Sequence, residues 1–171
     1  MRKILYLVFS MLVITSTYAD TEYKIVNAFV QQQFTEEAPL PSILWLTDDI
    51  QTVIKRLIVH PYNKLRLRFW KQSLKTVWIL DEVGKESPIT IGVVVNQQKI
   101  QLLKVLIYRE SRGDEVKHDF FTRQFDSATL TAQGKLSAHV DGISGATLSV
   151  RALKRMAKMA LWLDRQVTDD N

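Results

Sequence analysis

The sequence predicts an α+β fold, an antiparallel β-meander packed by helices and finished by a C-terminal helix. Three observations carry this. Between Lys64 and Glu110 short apolar runs are separated by polar turn residues at hairpin spacing. Within them, Ile89 to Val95 is almost wholly apolar, the mark of a strand covered on both faces and therefore central. From Leu148 to about Gln166, apolar residues recur at helical spacing. At 171 residues the chain has the size of one domain with a real core.

In chain order, Met1-Arg2-Lys3, an apolar run from Ile4 to Ile14 and then Thr17-Tyr18-Ala19 form a signal-peptide pattern. The run of eleven residues falls short of the roughly 20 needed to span a bilayer. Residues 1–19 are therefore expected to be cleaved after Ala19 and the rest exported to the periplasm, a retained membrane anchor being the alternative. Residues 20–63 read as an N-terminal helical segment that packs on the domain formed by residues 64–171. Within it, Glu22 to Gln33 is weakly helical, Pro39 to Pro41 interrupt, and a short helix starts at Thr47 or Asp48 and ends near His60-Pro61.

Four strands follow, at about 65–71, 75–83, 88–95 and 99–109. Their turns fall at Gln72-Ser73, Gly84-Lys85 and Asn96-Gln97-Gln98. Alternation sets Arg66, Arg68 and Trp70 on one side of the first strand and Leu65, Leu67 and Phe69 on the other. A helix near Asp114 to Gln124 is expected to press Phe120, Phe121 and Phe125 against the sheet. In the last helix Leu153, Met156, Ala157, Ala160 and Leu161 share the core face, with Arg151, Lys154, Arg155, Lys158 and Arg165 mainly elsewhere.

Composition narrows the chemistry. The chain has no cysteine, so disulfides, thiolate metal sites, iron–sulfur clusters and thioether-bound haem are excluded. His60, His118 and His139 are too scattered to suggest a metal site. Redox chemistry would have to come from an organic cofactor. The net charge is +5 and falls once Arg2 and Lys3 leave with the signal. Seven Lys or Arg and no acid lie between Gln51 and Leu80, which reads first as a solvated strand face and otherwise as a surface that steers an acidic partner. Nucleic acid does not suit an exported protein.

The residues that carry most information are Asp141-Gly142-Ile143-Ser144-Gly145-Ala146-Thr147. They open the last helix, with Ser144 expected as its N-cap and free backbone N–H groups that favour an anion. Gly145 and Ala146 allow close approach to the main chain, and Thr147 offers an oxygen able to form a phosphoester. Taken alone, the same residues also describe an ordinary cap and turn.

Asp141, Ser144, Gly145, Ala146 and Thr147 match in register the flavinylation motif of the FMN-binding domain family, and the chain resembles that family over roughly residues 78 to 165. Members include FMN-carrying subunits of sodium-translocating NADH:quinone reductase and of the related ferredoxin-linked complex. Glu110-Ser111-Arg112-Gly113 is similar to the family's Glu-Thr-x-Gly segment near the flavin, although Ser111 replaces Thr and a second glycine is missing. The resemblance implies FMN esterified through its phosphate to Thr147 by a flavin transferase that uses FAD and magnesium. It further implies that Asp141, Ser144, Gly145 and Ala146 border the cofactor, with Glu110 as a further candidate. Electron transfer with a membrane or periplasmic reductase or cytochrome is the expected role, a carrier rather than a stand-alone enzyme. The alternatives are a small flavin-dependent reductase, an accessory subunit of a periplasmic reductase, or a cofactor-free interaction domain.

Overall fold

A computed structural model describes residues 20–168. The signal-peptide reading of residues 1–19 lies outside the described residues. Five antiparallel strands, β1 (Ser42–Trp45), β2 (Arg66–Gln72), β3 (Lys75–Val83), β4 (Pro88–Asn96) and β5 (Lys99–Ile107), form one sheet in sequential order. The helices are α1 (residues 20–31), α2 (Asp48–Ile58), the short α3 (Asp119–Thr122) and α4 (Thr147–Thr168). The two hairpin turns flanking β3 and β4 need left-handed backbone at Ser73, Gln97 and Gln98. Positive φ at both central residues of the β4–β5 turn is the twist-compatible geometry for a two-residue hairpin.

Each sheet face is covered by different helices. On one face Trp78, Leu80, Ile91 and Val93 pack with Leu153, Met156, Ala157 and Ala160 of α4 in the main core. Phe69 stacks on Trp78 with ring centroids 4.8 Å apart. On the other face Trp70, Val77 and Val94 meet Phe29 and Val30 of α1 and the nearby Phe34 in a smaller cluster. Gly92 permits that contact, since a Cβ there would lie 2.4 Å from the Phe29 ring. The opposite environments of Leu67 and Trp70 confirm the expected alternation of β2. Arg66 and Arg68 are exposed, and Arg66 lies over the Trp45 ring.

Three expectations need correction. β1 was not anticipated: four residues pair with β2 at the sheet edge, with Ile43 opposite Arg68 and Leu44 opposite Leu67. β4 is buried on both faces as expected, yet it lies next to the edge strand β5, and β3 is the middle strand. The helix expected at Asp114 to Gln124 is broken into a 3-10 turn (Asp114–Lys117), α3 and a second 3-10 turn (Arg123–Phe125). His118 is extended, with ψ 148°. An unbroken helix would set Val116 and Phe121 about 140° apart. The break lets both reach the core, together with Phe125, and leaves Phe120 67% exposed instead of against the sheet.

Candidate functional site

The site begins with how α4 starts. The Ala146 N–H donates to the Ile143 carbonyl at 3.0 Å, closing a four-residue turn whose third residue, Gly145, has φ +82°. A side chain is strained in that left-handed position, and glycine is not. The Val150 N–H then donates to the Ala146 carbonyl at 2.9 Å, so Ala146 is the N-cap and Thr147 the first helical residue. Ser144 is therefore not the cap. The turn places it two residues too early, and its side chain is exposed. The N–H groups of Thr147, Leu148 and Ser149 precede the first helical hydrogen bond and have no acceptor within the helix.

Two loops are fastened against this helix start. Ala146 is buried, and a Cβ on Gly113, itself at φ +80°, would come within 2.8 Å of the Ala146 Cβ. The Tyr108 hydroxyl donates to the Arg112 carbonyl at 2.6 Å and lies 3.1 Å from the Ser149 hydroxyl, clasping the loop to α4. Burial pushes the Tyr108 hydroxyl above its ordinary range, and the Ser149 contact opposes that. Glu110 makes the second fastening. One carboxylate oxygen accepts the backbone N–H groups of Lys85, Glu86 and Ser87, the last two at 2.8 and 3.0 Å. These donors, Ser87 foremost, hold the Glu110 carboxyl below the usual carboxylate range. Gly84 makes room, because a Cβ there would sit 2.7 Å from the same oxygen.

The β3–β4 turn, the 110–112 loop and the first turn of α4 together enclose an open cavity of about 560 Å³. Lys85 and Arg112 bring positive charge to it, and Gly145, Ala146, Thr147 and Glu110 all line it. Thr147 is exposed at its edge. Asp141 and Ser144 are not among its lining residues. Asp141 is a loop residue instead: its N–H donates to the Gln124 side chain at 2.8 Å, and its carboxylate lies 3.3 Å from His139. Arg151, one turn beyond Thr147, faces a different groove. Lys85, Tyr108 and Ser149 were not singled out from sequence, because tertiary contact alone brings them here. Among the described residues no group of three or more His, Cys, Asp or Glu is placed to hold a metal ion.

Residues 84–162 match the model of the FMN-binding domain family. This segment belongs to that family. It starts at the turn held by Glu110 and ends within α4, so all three walls of the Thr147 cavity fall inside it. The match supports FMN binding by this segment. The cavity suits such a group: unpaired helix N–H groups and two cations for a phosphate, a glycine at the point of close approach, and an exposed hydroxyl. A search of curated proteins finds no match to the chain.

Proposed function

We propose that this is an exported electron-transfer flavoprotein that carries FMN covalently on Thr147. The observation behind this reading is an exposed threonine hydroxyl at the first position of α4, beside three helix N–H groups, within the segment that matches the FMN-binding family. In the attachment step a flavin transferase brings FAD, and Thr147 Oγ1 forms a bond to the phosphorus on the flavin side. The pyrophosphate P–O bond breaks, AMP leaves and the hydroxyl proton passes to water. Thr147 thus acts once, in maturation. Ser144 and Asp141, both exposed on the approach to α4, are open to contact by the transferase.

Bound FMN supplies reversible electron transfer, and the chain's residues hold and orient it. Helix N–H groups and Lys85 favour the phosphate, while Glu110 keeps the turn bearing Lys85 in place. A tether suits a compartment from which free FMN would diffuse away. The redox partner is proposed to be a membrane or periplasmic reductase or cytochrome.

Coexpression of the full chain with a flavin transferase, followed by intact mass measurement, tests this reading. The exported protein is expected to gain FMN less one water, and Thr147→Ala to gain nothing. Unmodified mass in both, with the transferase active on a control substrate, would overturn it.

A further inference from the structure

On the flank of α4 away from the Thr147 cavity lies a second groove of about 370 Å³, between α4, the end of α2 and residues 134–140. It shares no lining residue with the Thr147 cavity. Five cationic side chains, Lys135, Arg151, Lys154, Arg155 and Lys158, line it, and no Asp or Glu does.

The cations are poorly neutralised. Lys154 donates to the Val140 carbonyl at 2.6 Å and Lys158 to the Leu57 carbonyl at 2.5 Å, partners that carry no net charge. Among the described residues, Arg155 alone of the five has a carboxylate partner, Glu82 at 3.0 Å. At the rim, Asp141 is paired with His139. Among the described residues, neither Arg151 nor Lys135 has an acidic partner. Burial, together with the neighbouring Arg155 charge, lowers the Lys158 ammonium below its ordinary range, as expected where like charges meet without a counter-ion. Val59, Leu136 and Val140 add an apolar surface to the same groove.

We propose that this groove binds a small organic polyanion, with carboxylate or phosphate groups held by Arg151, Lys135 and the two half-buried lysines, and its apolar body against Val59, Leu136 and Val140. The volume, about 370 Å³, lies within the range of small-molecule sites and is small for a protein's docking face. An anion there would supply the missing counter-charge where partial desolvation strengthens each contact. The proposal stands apart from the flavin reading, because none of its residues belongs to the Thr147 cavity.

Calorimetric titration of the full chain with benzene-1,2,4-tricarboxylate tests it, beside inorganic pyrophosphate and a hexaglutamate peptide. Saturable tricarboxylate binding is expected, weakening with added salt and retained in Thr147→Ala. Combined Arg151→Glu and Lys135→Glu should weaken it by about tenfold or more, the scale of one lost charge-assisted contact. Both residues are exposed, so folding should survive. Arg151→Gln alone, which removes charge without reversing it, should give a smaller loss. Pyrophosphate, lacking the apolar body, should bind more weakly. Three results would overturn the proposal: no saturable binding, affinity unchanged by charge reversal, or binding of hexaglutamate without the tricarboxylate.

Discussion

Replacing Glu110 with alanine removes one oxygen that accepts three backbone N–H groups, and with it the tie between the β3–β4 turn and the 110–112 loop. A hydrogen bond to a charged acceptor contributes about 1.5–3 kcal/mol when well shielded. Here Lys85 and Glu86 are exposed and three donors share one oxygen, so the total is discounted to about 1–2 kcal/mol. For a domain of this size that amounts to roughly 3–6 °C in melting temperature. The folded carboxyl titrates below its unfolded value, so its stabilisation is complete above the unfolded pKa and is lost as pH falls through the folded one. The gap between wild type and Glu110→Ala should therefore be open at neutral pH and narrow as pH falls below the ordinary glutamate value of about 4.3. Glu110→Gln, which keeps an oxygen but not the charge, should fall between them. Thermal unfolding across that pH range measures all three. Equal melting temperatures at neutral pH, or a gap that does not change with pH, would refute the reasoning.

Other positions give sharper or simpler effects. Gly113→Ala meets both a positive φ and the Ala146 Cβ, whereas Gly145→Ala meets a positive φ in open space. Urea unfolding should show a loss of about 2–4 kcal/mol for the first and about 1–2 kcal/mol for the second. Asp164 is fully buried and accepts from Thr76 and Gln98, so Asp164→Ala should cost about 2–4 kcal/mol by the same measurement. Glu82→Ala removes the carboxylate that joins His60 to Arg155 and leaves a half-buried guanidinium unpaired. Chemical denaturation should report about 2–4 kcal/mol, and Glu82→Gln a smaller loss.

What could be read from the sequence was whatever neighbouring residues decide. The β2–β5 boundaries fall within two residues of the expected ones because apolar runs and turn residues mark both ends of each strand. The same holds for α4, whose buried residues repeat at helical spacing over six turns. β1 escaped because four residues at an edge have no alternation of their own and become a strand only through pairing with β2. The broken helix after β5 escaped for a related reason. Its local sequence permits a continuous helix, and only the sheet beneath requires Val116, Phe121 and Phe125 to point inward together.

The site divides along the same line. Gly145, Ala146 and Thr147 stand together in the sequence, and the turn that aims them depends on one glycine, so local reading reached them. Ser144 misled because a serine shortly before a helix is a good N-cap, yet the Gly145 turn moved the true start of α4 downstream. Lys85 stands 62 residues before Thr147 by its number, and no local pattern joins them. Glu110 makes that connection, because its carboxylate fixes the turn carrying Lys85 while its own loop rests on the first turn of α4 through Tyr108, Gly113 and Ala146. A change at Glu110 should thus reach the cavity through the position of Lys85, with Thr147 and the helix start left intact.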